Sequence, residues 1–374
     1  MATSKDYGLG EFTYPRGWFL VADASKVTSE PQPLHFFGRD LALYRGKQSG
    51  KVFLLDAICP HMGTNIACET QSWTALDGRV EGDCIRCPYH AWRFGPDGQC
   101  NDIPYSKKPI PPAAKLKSWT VVEQLGAVFV WYDPEDGEPE WEAPNLTEWD
   151  DPAYVHWQLS DLGELHSHPQ EVVDNIADCS HLGPLHGSTV QFFENEFRGH
   201  LAIQRQGGGH RTLASKDGKS PLLVTDTVYH GPGILFSHVS GLMTTVMLIA
   251  HTPTEDGTIH VWFGELVKGP SGAAKATDSD VAAAREYQKN SQWSFSQDFG
   301  IWGHKNPCFH GMHVSGDGPF RKARLWYRQF YNPRAQREEI LKRAEGVYHV
   351  DSMPPAPPIK DGESLAAAVV AAGL

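Results

Sequence analysis

The sequence predicts an α+β protein in two parts, an all-β domain in the first third of the chain and a larger α+β domain after it. Three observations predict this. Short β-rich runs crowd the first 132 residues, acids and prolines interrupt the chain at 133–152, and a pattern of helical period fills 279–302. In chain order, "LALYR" (41–45) and "KVFLLDA" (51–57) flank the polar turn "GKQSG" and read as a hairpin, and "LGAVFVWYD" (125–133) reads as a buried strand. The stretch 133–152 holds four prolines and nine acids, too many to pack as a regular element. It is the expected linker between a domain of residues 1–132 and one of residues 153–374. Beyond it, "PQEVVDNIADCSHL" has the period of a helix, "HVWFGELV" (260–267) that of a strand, and 279–302 offers a Ser or Asp as N-cap. The Pro-rich tail "SMPPAPPIKDGE" reads as extended.

Composition excludes several classes. The 374-residue chain has a net charge of −12 and a pI near 5.8, the wrong sign for nucleic acid or an anionic membrane surface. No apolar run reaches the ~18–20 residues of a membrane helix, and the start shows no basic-then-apolar secretion signal. Seven cysteines, an odd number, point to reduced thiols and metal ligands in a cytoplasmic protein.

Residues 59–90 hold four cysteines and two histidines. Two short units stand out, Cys59-Pro-His61 and Cys87-Pro-Tyr-His90, each placing a thiolate and an imidazole on a tight loop. Facing each other, such loops supply two Cys to one iron and two His to the other, the Rieske [2Fe–2S] arrangement. Structural zinc is the rival: Cys84-Ile-Arg-Cys87 has its spacing, and Cys59 and His61 would complete a set that leaves His90 unexplained. The twenty-five residues between His61 and Cys87 are long for this arrangement, and "CETQSWTAL" (68–76) reads as an outward insertion. Thr64 and Tyr89 stand where respiratory Rieske proteins carry a disulfide, and fewer donors to sulfur imply a low-potential centre.

A second constellation lies in "DNIADCSHLGPLHG" (174–187), where Gly183 and Pro184 separate His181 from His186 and are expected to end the helix. Two His and one carboxylate on one octahedral face make a mononuclear non-haem Fe(II) site with open positions for O₂; Asp298, in "SFSQDFGIW", is the candidate acid. Taken alone, such a pair is more often ordinary histidine. His166/His168 and His310/His313 offer weaker cases without a carboxylate pattern, and a di-iron reading of Asp178-Cys-Ser-His181 lacks the four long helices it needs. With Asp298 on a helix, Phe295, Ile301 and Trp302 share its face and line the space over the metal, unless they are plain helix core.

Together, Cys-x-His, Cys-x-x-His, Asn175-x-x-Asp178-x-x-His181-x-x-x-x-His186 and a distant Asp298 resemble the oxygenase component of Rieske non-haem iron oxygenases. Within that group, "WRFGPDGQCNDIPYSKK" (92–108), "QFFENEFRGHLAIQ" (191–204), "QDFGIWGHK" (297–305) and "RLWYRQFY" (324–331) are most similar to the 3-ketosteroid 9α-hydroxylase oxygenases. The resemblance runs from about residue 50 to 331. It implies a Rieske domain bearing Cys59, His61, Cys87 and His90, joined to a catalytic domain of helix-grip (START/Bet v1-like) type with His181, His186 and Asp298 on Fe(II). It further implies a head-to-tail homotrimer, with Asp178 bridging His90 of one subunit to His181 of the next and Asn175, Asp178 and His181 sharing a helix face. The reaction implied is hydroxylation of an unactivated C–H bond of a steroid-like substrate by O₂. No dinucleotide-binding GxGxxG and no second four-Cys pattern occur in the chain, so NAD(P)H and flavin belong to a separate reductase or ferredoxin partner. A sterol desaturase or O-demethylase would share these sites. A pure electron carrier and a zinc-stabilised ligand-binding module are the rivals from other classes.

Overall fold

The computed structural model describes residues 2–213, 220–308, 311–314 and 316–373. The chain divides into two compact units, residues 19–132 with 138–143, and residues 1–18 with 133–137 and 144–374.

The smaller unit is built of short antiparallel strands. The predicted hairpin is present, with Arg39–Arg45 paired to Val52–Asp56 and, on its other edge, to Gln32–Phe36. A four-stranded meander follows: Val80–Glu81, Cys84–Arg86, Arg93–Phe94 and Cys100–Asp102. Tyr44, Leu55, Ile66, Ile85 and Phe94 form its core around Cys59 and Cys87. The insertion does bulge outward. It forms one helical turn, Trp73–Leu76, capped by Ser72, and leaves Trp73 79% and Leu76 63% exposed.

In the larger unit, nine strands of the described residues form one antiparallel sheet. Six of them run in chain order as a meander: Phe192–Arg198, Leu201–Gly208, Leu223–His230, Ile234–Ser240, Thr245–Glu255 and Thr258–Lys268. The helix Asp278–Trp302 packs against this sheet. Ala284 touches Val155 and Val267, and Phe295 stacks on Phe263 at 6.0 Å between centroids. Its N-cap is neither the Ser nor the Asp expected but Thr277, which exchanges hydrogen bonds with Asp280 in a capping box. At 25 residues the helix is roughly 37 Å long. Among the described residues no helix is long and apolar enough to cross a membrane.

Three expectations differ from what is observed. The first eighteen residues belong to the larger unit, because Leu9, Phe12 and Arg16 make backbone hydrogen bonds with 328–332 and Arg16 is buried against Asp133 at 3.1 Å. The acidic stretch is therefore not all linker. Burial alone would raise the Asp133 carboxyl; the Glu135 N–H and the Arg334 and Arg16 guanidiniums outweigh it and hold the group below the usual carboxylate range. The tail is not wholly extended, since Leu365–Ala371 forms a short helix capped by Ser364, with Leu365 and Val369 packed on Phe192 and Val224.

The third difference shapes the site. The helix Pro169–Asp174 tightens to a 3₁₀ turn at Asn175–Ala177 and stops at Asp178, which is extended. A continuing helix would pair the Ser180 and His181 N–H groups with the carbonyls of Ile176 and Ala177. Instead the Asp178 carboxylate accepts both N–H bonds at 3.1 Å, and the Ile176 carbonyl accepts from Asn195 Nδ2 at 2.7 Å. Asn175, Asp178 and His181 thus do not share a helix face, and Gly183 and Pro184 lie in the turns beyond.

Replacing Thr277 by Ala removes the capping bond and is expected to cost about 1 kcal/mol. A urea midpoint lowered with unchanged slope and unchanged activity would match this; an unmoved midpoint would mean the cap is not limiting.

Candidate functional site

In the smaller unit the two Cys–His loops have one backbone design. The N–H of Cys59 donates to Thr64 O and that of Gly63 to Cys59 O; likewise the N–H of Cys87 donates to Trp92 O and that of Ala91 to Cys87 O. The fifth residue of each loop has positive φ, 73° at Gly63 and 58° at Ala91. Glycine takes this conformation freely, and Ala91 holds it against steric cost. Each loop presents its cysteine inward, both thiols being 2% exposed, and its histidine outward. The imidazoles of His61 and His90 meet edge to face at 4.5 Å, and His61 stacks on Trp92 at 4.6 Å.

The two thiols act on each other electrostatically. The Cys59 thiol lowers Cys87 to about 6, helped by the N–H groups of Tyr89 and His90, and Cys87 together with burial raises Cys59. His61 Nδ1 is buried with no partner, as a nitrogen meant for a metal would be. Two buried sulfurs and two imidazoles that meet at 4.5 Å suit a cluster spanning between them. Zinc suits them less. It would draw all its ligand atoms to roughly 2.0–2.3 Å of one ion, yet among the described residues no three Cys, His or acidic groups of this unit bring ligand atoms within 4.8 Å of one another. Cys84 lies on a strand and accepts from Asn101 at 3.4 Å, and Cys100 donates to Asp102 O at 3.6 Å.

In the larger unit His181, His186 and Asp298 bring one ligand atom each within 4.8 Å of the others. His186 Nε2 lies 3.4 Å from Asp298 Oδ2, and the two rings are 5.2 Å apart. Every group is held by its far side. The His181 Nδ1–H donates to Asp178 O at 2.7 Å, which leaves Nε2 unprotonated in the neutral ring. His186 Nδ1 meets Gln297 Oε1 at 3.2 Å, and Asn175 Nδ2 donates to Asp298 Oδ1 at 2.9 Å. Partners of this kind orient the ligands of a metal site and set their tautomers. Burial would lower His186, but the Asp298 carboxylate outweighs it and raises the group. The His166/His168 pair does not converge. His166 is exposed, His168 is buried as the N-cap of Pro169–Asp174 and lowered to about 3 by burial, and His310 lies outside the described residues.

A cavity of about 260 Å³ opens beside this triad. Phe295 and Trp302 line it with Val172 and Leu182. Ile301 does not; it lies roughly 100° around the helix from Trp302 and is 51% exposed. The opposite wall is the sheet, whose alternate residues Gln204, Gln206, Thr225, Thr227, Ser237 and Met247 face inward. Sequence reasoning missed this polar wall and Gln297. The wall's signal was alternation in strands buried on both faces, which reads as continuous strand; Gln297 had no spacing rule to reveal it.

Residues 17–122 match the Rieske [2Fe-2S] domain family and residues 130–331 the 3-ketosteroid 9alpha-hydroxylase C-terminal domain family. A 3-ketosteroid-9-alpha-monooxygenase oxygenase component of Rhodococcus rhodochrous is 30% identical over 338 residues, 87% of this chain and 86% of that one. A cholesterol 7-desaturase of Hemicentrotus pulcherrimus is 29% identical over 360 residues, 88% of this chain and 72% of that one. Among solved structures, dicamba monooxygenase with 3,6-dichlorosalicylic acid shares the fold at a TM-score of 0.64 and 19% identity, covering 89% of this chain and 98% of that one. A Rieske domain joined to an antiparallel sheet packed on one long helix is the build of a Rieske non-haem iron oxygenase. Within that class, the chain belongs to the 3-ketosteroid 9α-hydroxylase oxygenase family.

Cys84→Ser is expected to leave the brown colour and cluster absorption unchanged, while Cys87→Ser bleaches them. A colourless Cys84→Ser protein would overturn the assignment of the two loops.

Proposed function

We propose that the chain is the terminal oxygenase of a multicomponent monooxygenase that hydroxylates an unactivated C–H bond of a steroid-like substrate, with C9 of a 3-ketosteroid as the position its relatives' names suggest. The observation that carries this reading is the convergence of His181, His186 and Asp298 on the wall of a cavity. The donor set is that of a facial triad, and it fits Fe(II). When bound there, Fe(II) supplies O₂ activation and a [2Fe–2S] cluster on Cys59, His61, Cys87 and His90 supplies single electrons.

The chain's own residues do the rest. Asn175 holds one oxygen of Asp298 so that the other faces the metal position. Asp178 O and Gln297 fix the two imidazoles. Val172, Leu182, Phe295 and Trp302 give apolar wall beside the triad, which excludes water and limits which carbon of a rigid ring system comes near. The Asp178 carboxylate is partly exposed, 24% at the side chain. In this reading it meets His90 of a neighbouring subunit in a head-to-tail trimer and carries electrons to His181. Burial would raise Asp178, but hydrogen bonds from His181 and Ser180 outweigh it and keep it ionised. A separate NAD(P)H-dependent reductase or ferredoxin supplies the electrons, and its nucleotide pool and the chain's free cysteines favour the cytoplasm.

Desaturation is the second reading, favoured by the likeness to a cholesterol 7-desaturase. The test is product mass after incubating iron-replete protein with a surrogate reductase, NADH, ¹⁸O₂ and a 4-ene-3-ketosteroid. One labelled oxygen gained supports hydroxylation, two hydrogens lost supports desaturation, and an unaltered steroid during NADH consumption removes the steroid assignment. His181→Ala is expected to lose the mononuclear iron while the cluster spectrum survives. Asp178→Asn should keep both metals and lose nearly all turnover, and normal turnover in it would remove the bridging role.

A further inference from the structure

Two neighbouring rows of the sheet's inner face carry polar residues into the cavity. In one, Gln204 lies opposite Thr227 and Thr227 opposite Ser237; in the next, Gln206 lies opposite Thr225 and Thr225 opposite Val239. All of these line the cavity that holds His181, His186 and Asp298. The rows differ in how their hydroxyls are used. Thr227 and Ser237 bond each other at 2.6 Å, which leaves Gln204 beside a hydroxyl already taken. Gln206 and Thr225 close no such pair. Among the described residues neither end of the Gln206 amide has a hydrogen-bond partner, nor does the Thr225 hydroxyl, and Gln206 Oε1 is buried. Val239, the next residue of that row, has no polar atom to offer them.

Directly paired residues share a face, with Cβ atoms about 4.5–5.5 Å apart. An amide and a hydroxyl on one such pair can therefore reach a single ligand atom between them. With Oε1 the buried end of the amide, Nε2 is the end that donates, and the threonine hydroxyl can donate beside it. A carbonyl oxygen has two lone pairs, one for each donor. Water meets such groups while a cavity is open, and a ligand that fills the cavity displaces it. If the ligand brings no oxygen to that place, both donors are left unpaired. The pair therefore discriminates by what it loses as much as by what it gains.

We propose that Gln206 and Thr225 form a specificity-determining pair that recognises one ketone oxygen of the substrate. This rests on the steroid reading above and deepens it. Phe295 and Trp302 on the helix side take hydrocarbon, and the pair on the sheet side takes oxygen. A rigid ring system is then held in the pose that satisfies both walls, and that pose decides which carbon faces the triad.

The test compares kcat/KM of the holoenzyme, driven by a surrogate reductase, on three probes: androst-4-ene-3,17-dione, androst-4-en-3-one and androst-4-en-17-one. Two variants of similar shape, Gln206→Met and Thr225→Val, are measured beside wild type. Wild type is expected to disfavour the monoketone that lacks the recognised oxygen by about ten-fold or more against the diketone. Gln206→Met should collapse that gap to within about two-fold by slowing the diketone, with iron content and activity on the disfavoured monoketone unchanged. Thr225→Val should narrow the gap for the same monoketone, because both donors meet one oxygen. A merely structural role would lower all three probes together. Equal kcat/KM on all three in wild type overturns the inference whether or not the variants fold. So does a gap that survives Gln206→Met, or variants that act on different monoketones. Should Gln206→Met lose its iron, Thr225→Val decides, and an unchanged gap there overturns the inference. If wild type oxidises none of the three, the steroid reading itself falls, and this inference with it.

Discussion

The point at which the helix beginning at Pro169 stops decides whether there is a metal site at all. Asp178 ends it by placing its carboxylate where the Ser180 and His181 N–H groups would otherwise seek helical carbonyls. The turn of chain so released carries His181 and His186 round to Asp298, and the Asp178 carbonyl fixes the His181 tautomer. One residue thus performs two tasks with two different atoms, Oδ1 and its carbonyl oxygen. The helix can afford to end because it is anchored upstream, where Asp174 is buried in an ion pair with Arg324 and a hydrogen bond from Gln170. Burial raises Asp174 despite those partners, so the anchor depends on Arg324 staying in place.

The two candidate ligand sets follow opposite geometric rules, and each rule shows in the fold. The mononuclear set converges, so its donors come from elements far apart in sequence, a turn after one helix and the last turns of another. The cluster set must stay apart by the width of the cluster, and two similar loops achieve that by repeating one pattern of backbone bonds. A repeated loop fixes spacing through the main chain and leaves side chains free to differ. That is why Thr64 and Trp92 can occupy equivalent places with no chemistry in common.

Much of this was legible in the sequence where chemistry forces residue type. Cys59, His61, Cys87 and His90 declare themselves by spacing, and His181, His186 and Asp298 by the surrounding pattern. The long helix showed in its period, with only its cap misread, because Thr277 lies two residues before the pattern begins. What the sequence concealed were features set by tertiary partners. The early end of the helix at Asp178 depends on Asn195, seventeen residues on. The placement of residues 1–18 depends on hydrogen bonds to 328–332. Ile301 failed as a wall residue because a face of three residues is wider than the strip of helix the cavity uses.

The cavity combines demands that pull in different directions. Oxidation of an unactivated C–H bond favours a dry apolar pocket, and the triad's surroundings are apolar on the helix side. The sheet side is not. Hydroxyls and amides there could hold water and bring it near the metal, unless they are already bonded or a ligand covers them. Thr227 and Ser237 close on each other, which removes two of those groups without a ligand. Gln206, Thr245 and Glu265 retain an open atom, and they lie on the two rows that follow that of Phe263, which Phe295 covers. The cavity is therefore more polar along the sheet than beside Phe295 and Trp302. A rigid substrate with hydrocarbon on one side and oxygen on the other matches that contrast in few orientations, and regiochemistry follows from orientation before the metal takes any part.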